Sequence, residues 1–168
     1  QDFASLTGND KDIAGFSRLS ENIKEGFNNE FFNKEDFTYG DNNLTDNLLP
    51  LYFGLFPEDH EKNRLDNIIK IIEITNNGHL SCGVIGVQWL MRTLTENGRS
   101  DLAFRIATNP TYPGWGYMIE NGATTIWELW NGNTAAPDMN SYNHVMMLGD
   151  LIIWYYENLA GIKSDPDY

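Results

Sequence analysis

Apolar residues recur at steps of three and four along most of the chain, which is the spacing of one face of an α-helix. The pattern is clearest from Asn9 to about Phe32, where Asn9 or Asp10 can cap the start. Turn residues from Phe37 to Asn42 follow the end. We therefore predict a first long helix, whose apolar stripe comprises Ile13, Phe16, Leu19, Ile23 and Phe27.

The next helices are predicted from residues that start or stop a helix. Thr45 can open a second helix, in which Pro50 should cause a bend or start a new turn. Pro57 can begin a third helix, which should end at Gly78 because glycine commonly follows a helix C-terminus. The apolar stripe of this third helix comprises Leu65, Ile68, Ile69 and Ile72.

The second half of the chain continues the helical pattern. Helices are predicted from about Gly83 to Thr95, from the cap Ser100 to Thr108 and from about Asn140 to Leu159. A short turn or helix is expected around Trp115, and Gly122 to Gly132 is predicted to be strand and loop. Helices joined by short turns pack as antiparallel hairpins, so we predict an all-α fold.

Composition narrows the range of partners. The chain has 168 residues, of which 41% are hydrophobic, and this is enough for one domain with a core. The net charge of −13 repels phosphate backbones and anionic lipid, so nucleic acid and membrane surfaces are poor partners. A neutral or cationic ligand fits better. The longest apolar runs are too short to cross a bilayer.

Metal and disulfide chemistry are not indicated. Cys82 is the single cysteine, and with three scattered histidines it gives no metal-site spacing, so we expect no metal and no cofactor. We interpret Cys82 as a small packed residue, since the sequence places no base to activate its thiol. The start at Gln1 rather than Met suggests a processed or truncated product. This leaves the compartment open between the periplasm, the exterior and the cytoplasm.

Turns in the second half carry side chains that suit a sugar. The turns before Gly83, around Trp115 and around Glu128 concentrate glycine, threonine, histidine and tryptophan. Aromatic faces stack on the C–H faces of sugars, and carboxylate and imidazole groups bond to hydroxyls. The candidate residues are Tyr112, Trp115, Tyr117, Trp127, Glu128, Trp130 and His144.

The same residues also fit a purely structural interpretation. Tryptophans are usually buried for packing, and Glu128 can be a satisfied loop acid, an interpretation that composition alone favours. His79 fits two roles equally well. It can lie at a helix C-terminus, where it complements the helix dipole, or it can line a site. His144 indicates function more clearly, because polar Ser141 and Asn143 lie beside it.

Three motifs make the interpretation specific. "ENGRSDLA", "TYPGWGYMIENGATTIWE" and "NHVMMLGD" occur in this order after Gly78. Their order and spacing resemble the C-terminal part of the catalytic domain of bacterial α-L-rhamnosidases, glycoside hydrolase family 78. A weaker resemblance covers most of the remaining chain. The resemblance implies a partial (α/α)6 barrel, with residues 1–168 as the C-terminal portion of the catalytic domain.

The resemblance also implies a reaction. Members release terminal α-L-rhamnose from a rhamnose-containing oligosaccharide or glycoside by an inverting mechanism, with two carboxyl groups roughly 6.5–9.5 Å apart. By motif match, Glu128 is the general base and His144 contacts the sugar. The general acid belongs to an upstream segment that nothing in residues 1–168 matches. Further substrate contacts are expected from Trp127, Trp130, Trp115, Tyr117 and His79.

A partial barrel has consequences for the isolated chain. Without the general acid it should be inactive. The apolar run from Ile152 to Tyr156 and the stripe through Ile68 and Ile72 cannot all be covered by so few helices. We therefore expect the isolated fragment to self-associate through hydrophobic helix faces.

Departures from the family pattern bear on substrate preference. Leu129 follows the glutamate where many members have arginine, and Cys82 to Val87 replaces the common Thr-Gly-Phe-Leu-Gly-Thr. Both changes remove polarity near the expected pocket. Other functions stay open at this point. One is a non-catalytic all-α module that binds carbohydrate or protein through the same aromatic cleft, and another is a different barrel glycosidase or lyase.

Overall fold

Helices form most of the architecture, as the periodicity predicts. The computed structural model describes residues 2–57, 65–138 and 140–164. Two of the helices, α4 and α8, continue into π-helical turns at Ile71–Thr75 and Tyr155–Leu159. The helices in chain order are α1 (Asp2–Leu6), α2 (Asp10–Phe31), α3 (Leu44–Tyr52), α4 (Asp66–Lys70), α5 (Val84–Glu96), α6 (Ser100–Thr108), α7 (Trp115–Glu120) and α8 (Val145–Trp154).

Helix α2 has the predicted span but differs at its start and along its apolar face. Asn9 precedes the helix without capping it, because its side-chain amide donates to the Thr7 hydroxyl (2.9 Å) instead. Phe16, Leu19 and Ile23 are about half exposed, and the described part of the chain buries no residue of α2. The predicted stripe is therefore apolar surface rather than core.

A short hairpin follows α2 where the sequence indicated only a turn. Strand β1 (Phe32–Asn33) pairs antiparallel with β2 (Thr38–Tyr39). Tyr39 is buried, its hydroxyl donates to Asn28 Oδ1 (2.6 Å) and its N–H donates to Asn47 Oδ1 (3.1 Å). Burial raises the pKa of Tyr39 to about 12, so the hydroxyl keeps its proton at neutral pH.

Helix α3 begins one residue before the predicted position. The cap is Asn43 rather than Thr45, because the Asn43 side chain accepts the Asp46 N–H (2.9 Å). That amide is one of those that the first turn of a helix leaves unpaired. Pro50 lies near the C-terminal end, and the helix stops soon after it at Tyr52.

The third predicted helix is seen only in its second part. Its predicted start at Pro57 leads into residues outside the described ranges. The helix ends before Asn77 and Gly78, which both have positive φ (50° and 82°). Ile68 and Ile72 are fully buried, so this part of the apolar surface that we expected to lack cover is in fact covered.

Helix α5 is central to the core and packs against α3, α6 and α8. It has nearly the predicted bounds. Ser100 is the first residue of α6 rather than its cap, because Arg99 occupies the cap position. The core side chains of these helices include Leu44, Leu48, Ile68, Ile72, Val87, Leu90, Leu94, Leu102, Ile106 and Trp154.

The last helix starts later than predicted. Helix α8 begins at Val145, since residues 140–144 bond to an earlier loop instead of forming the first helical turn. Trp154 is buried and its indole N–H donates to Thr95 Oγ1 (2.9 Å). Neighbouring Ile152 and Tyr156 are largely exposed. Among the described residues, no helix has both the length and the apolar character needed to cross a membrane.

Candidate functional site

Two loops lie side by side at the position of the predicted strand. We call residues 125–129 and 140–144 the paired loops. Neither loop is a strand, so the expectation of strand near Glu128 is wrong. Hydrogen bonds join the loops from Glu128 N–H to Ser141 O (2.8 Å), from His144 N–H to Ile126 O (2.7 Å), from Leu129 N–H to Asn140 Oδ1 (3.1 Å) and from the Thr125 hydroxyl to the Tyr142 carbonyl.

Glu128 is exposed, and the paired loops orient its carboxylate. Its Oε2 accepts the Ser141 N–H (3.0 Å), while its own N–H donates to the Ser141 carbonyl (2.8 Å). The two residues therefore exchange two hydrogen bonds. Within the described residues no hydrogen bond to Oε1 is found. One oxygen is thus fixed by a backbone donor, and the other can bind water.

His144 lies at the cap position of α8 rather than in its first turn. Its backbone N–H donates to the Ile126 carbonyl, which ties the start of α8 to the loop that carries Glu128. Its Nδ1 atom is buried and has no hydrogen-bond partner among the described residues. An unpaired buried nitrogen is unusual in a folded protein.

Trp127 and Trp115 are buried, with 5% and 3% of their surfaces exposed. The Trp127 ring covers Gly132, where a Cβ would come within 2.8 Å of the indole, so only glycine fits there. Trp115 packs edge-on against Trp130, with ring centroids 5.3 Å apart. Both rings fix the loop rather than present a face to solvent. Their predicted contact with sugar stays a prediction.

A groove lies next to the loop that carries Glu128. It has a volume of about 460 Å³. Trp130 closes one side of it, and the Trp130 indole N–H donates to the Cys82 carbonyl (3.0 Å), which joins two chain segments across the groove. The lining residues are Asn76, His79, Leu80, Ser81, Cys82, Gly83, Tyr112, Pro113 and Trp130.

His79 lies near a helix end and beside the groove, and its role in a site stays a prediction. Its Nδ1 lies 3.1 Å from the Asn76 carbonyl oxygen and 3.0 Å from that of Asn77, just after the π-helical turn, so Nδ1–H donates to these carbonyls. Its Nε2 lies 2.7 Å from Thr111 Oγ1. The same ring lines the groove. His79 therefore both ends a helix and borders the groove.

Cys82 is a packed residue, as predicted. It is buried and free, and burial raises the pKa of its thiol to about 12. A thiol with so high a pKa is protonated at neutral pH and is a poor nucleophile. Among the described residues no group of His, Cys, Asp and Glu side chains is arranged to hold a metal ion.

The structure places the predicted site residues in two neighbouring groups. His79, Tyr112 and Trp130 line the groove, and Glu128 and His144 belong to the paired loops. Tyr117 touches the first group through the ring of Tyr112, with centroids 5.4 Å apart, and its hydroxyl donates to Asn133 Oδ1 (3.2 Å). Sequence reasoning missed Asn140, whose role depends on a backbone partner that carries no side-chain signal.

Comparison with known proteins identifies the family. The model for the bacterial α-L-rhamnosidase six-hairpin glycosidase domain matches residues 1–159. The chain belongs to this family. An α-L-rhamnosidase from Streptomyces avermitilis is 34% identical over 157 residues, which cover 90% of this chain and 15% of the relative. The predicted family is confirmed.

Solved structures agree with this six-hairpin glycosidase assignment. The α-L-rhamnosidase from Dictyoglumus thermophilum matches with a TM-score of 0.84 and 36% identity, over 93% of this chain and 17% of that one. The Streptomyces avermitilis α-L-rhamnosidase complexed with L-rhamnose matches with a TM-score of 0.86 and 32% identity, over 94% and 15%. The predicted helical fold class is confirmed, and the chain spans a small fraction of these proteins.

Proposed function

We propose that residues 1–168 are the C-terminal part of the (α/α)6 catalytic domain of an inverting α-L-rhamnosidase, in which Glu128 is the general base. The observation that carries the proposal is the carboxylate of Glu128. It is exposed, a backbone N–H holds its Oε2, and its Oε1 is open to water. Membership in a family of rhamnosidases supports this assignment.

In the proposed reaction, Glu128 takes a proton from a water molecule. The resulting hydroxide attacks the anomeric carbon of a terminal α-L-rhamnose from the face opposite the leaving group. The leaving oxygen receives a proton from a carboxylic acid that lies outside residues 1–168. The two carboxyl groups of an inverting glycosidase stand roughly 6.5–9.5 Å apart, so that the water fits between Glu128 and the sugar.

The groove lined by Trp130, which stands two residues after Glu128, suits a neutral sugar. The partly exposed Trp130 ring and Tyr112 line the groove with aromatic surface, on which a C–H face of a sugar can stack. We propose that the partly buried ring of His144 contacts a rhamnose hydroxyl, because its backbone N–H joins it to the loop that carries Glu128. His79 and Tyr117 would contact the rest of the glycoside.

The test is Glu128→Gln in the full-length protein that contains this chain, assayed with an aryl α-L-rhamnoside. The amide keeps the shape but cannot accept the proton from water, so kcat should fall at least about 100-fold, since general base catalysis contributes about 10²–10⁴. Binding of rhamnose should be largely retained. Glu120→Gln is the matched control, because Glu120 is an exposed acid at the C-terminal end of α7.

Two results would contradict the proposal. Near wild-type turnover by Glu128→Gln would show that another group activates the water. Proton NMR of the first product should detect β-L-rhamnose before mutarotation, because inversion changes the anomer. Release of the α-anomer would instead indicate a retaining enzyme, in which a carboxylate attacks the sugar directly.

A further inference from the structure

Asn140 is a buried polar residue at one end of the paired loops. Only 8% of its surface is exposed. Its Oδ1 accepts the Leu129 N–H (3.1 Å), and its Nδ2 has no hydrogen-bond partner among the residues that the structure describes. A buried amide that uses only its acceptor is poorly satisfied, since most buried polar groups are paired. The residue therefore contributes one specific bond rather than a network.

That one bond acts on the peptide unit of Glu128. The Leu129 N–H and the Glu128 carbonyl belong to the same peptide group, which follows the Glu128 Cα. On the other side of that Cα, the Glu128 N–H donates to the Ser141 carbonyl. The backbone is thus held on both sides of the Glu128 Cα. Ser141, next to Asn140, also donates its N–H to Glu128 Oε2. The dipeptide Asn140–Ser141 therefore fixes both the backbone and the carboxylate.

We propose that Asn140 is a positioning residue for Glu128, which sets the direction of the carboxylate through the Leu129 N–H. The inference rests on the proposed role of Glu128 as general base. Loss of the Asn140 acceptor would free the peptide that follows Glu128 and let the carboxylate move relative to the attacking water. A displacement of about 1 Å at a reacting group can cost about 100-fold in rate.

The first experiment compares Asn140→Ala with Asn47→Ala in the full-length protein. Asn47 is a matched control because it is similarly buried (5% against 8% exposed), and its Oδ1 accepts a backbone N–H, that of Tyr39 (3.1 Å), in the hairpin. We expect Asn140→Ala to lower kcat about 10- to 100-fold with little change in KM. Asn47→Ala should lower the melting temperature and leave kcat unchanged.

The second variant, Asn140→Asp, keeps the acceptor for the Leu129 N–H and loses only the unpaired amide. It should therefore retain much more kcat than Asn140→Ala. Its new carboxylate would lie close to Glu128, and a like charge disfavours ionisation of a base. The acid limb of the kcat/KM–pH profile should move to higher pH, which shows that side chain 140 lies beside the base, while the retained kcat shows that the acceptor positions it.

The possible outcomes separate this inference from the proposed function. A folded Asn140→Ala with wild-type kcat, or Asn47→Ala with an equal loss of kcat, would overturn the positioning role. If Asn140→Ala does not fold, a folded Asn140→Asp whose kcat at the top of the pH profile falls about 10- to 100-fold, although it keeps the acceptor, would overturn it. Glu128→Gln is measured in the same assay. If that variant stays active, the proposed function fails, whereas an inactive Glu128→Gln beside an unaffected Asn140→Ala rejects the inference alone.

Discussion

At the scale of single residues, acidic side chains in this chain differ by what surrounds them. Glu73 accepts hydrogen bonds from Arg99 and Arg105, which hold its pKa below the usual glutamate value. Asp150 is partly buried, and desolvation raises its pKa. Glu128 is exposed and bonded at one oxygen to a backbone N–H. This last arrangement orients a carboxylate while leaving it accessible to water.

His144 gives a prediction at this scale. In the full-length protein, His144→Ala should weaken the binding of L-rhamnose and also slow the reaction, because the ring is expected to hold a hydroxyl rather than to move protons. One hydrogen bond is worth about 0.5–1.5 kcal/mol net, which corresponds to about 2- to 12-fold in Kd. Calorimetric titration with L-rhamnose measures this. An unchanged Kd would show that His144 does not touch the sugar.

The predictability of the site also differs from residue to residue. Glu128 and His144 could be proposed from the sequence because they stand in motifs that resemble a family. Asn140 could not, since an asparagine in a loop is common and its partner is a backbone N–H. The burial of Trp115 and Trp127 could not be decided either, because an aromatic ring suits a core and a sugar platform equally well.

At the scale of elements, the helices were more predictable than their ends. The spans of α2, α5 and α6 follow from apolar residues at helical spacing. The ends depend on competition between hydrogen bonds, as at Asn9, which bonds to Thr7 instead of capping, and at residues 140–144, which pair with a loop. The hairpin was missed because strands of two residues show no alternation.

A second prediction concerns the ion pairs that join α6 to the π-helical turn after α4. Glu73 accepts from Arg105 and Arg99, so its folded-state pKa lies below its unfolded value. Its stabilising contribution is therefore present above the unfolded value and is lost as pH falls through the folded one. Glu73→Gln should melt below wild type at pH 7, and the difference should shrink below the usual glutamate pKa of 4.5.

This difference is measured by thermal melting of residues 1–168, monitored by circular dichroism. The pH is varied from about 3 to about 7, which spans the titration of a carboxylate. Glu96→Gln serves as the control, because Glu96 is an exposed glutamate at the end of α5. The ion pairs would be irrelevant to stability if both variants melted at the same temperature at neutral pH.

At the scale of the whole molecule, exposed apolar residues occur on many elements, and α2 and the end of α8 carry several of them. On α2, Phe16, Leu19 and Ile23 face solvent, and a cavity of about 740 Å³ opens between α2, the hairpin and α3. At the end of the chain, Ile152 and Tyr156 are exposed while Trp154 between them is buried. Large exposed apolar patches usually mark an interface.

We therefore expect residues 1–168, when isolated, to form a dimer or larger assembly. Leaving several hundred Å² of apolar surface in water costs many kcal/mol at about 25 cal/mol per Å², against a typical stability of roughly 5–15 kcal/mol. Sedimentation at micromolar concentration measures the assembly, and Phe16→Glu with Ile23→Glu should weaken it. A monomer that unfolds cooperatively and binds no apolar dye would contradict the expectation.

The same isolated chain should not hydrolyse aryl α-L-rhamnosides at a rate comparable to that of an intact enzyme. It carries the proposed base, but the proposed acid lies outside residues 1–168, and general acid catalysis contributes about 10²–10⁴-fold. Colorimetric release of the aryl group measures turnover. Robust turnover would mean that the proton donor is among these 168 residues.

The paired loops also bear on how such a domain can diverge. A hydrogen bond from the Leu129 N–H to Asn140 Oδ1 joins the two ends of the segment that connects these loops. The exposed segment 136–138 within that connection can therefore be lengthened by insertions without moving Glu128. Each doubling of a flexible loop costs only about 0.6 kcal/mol. Insertions there can change the surface of the molecule while the paired loops hold the Glu128 carboxylate in place, so that the proposed base and the outer loop can vary independently.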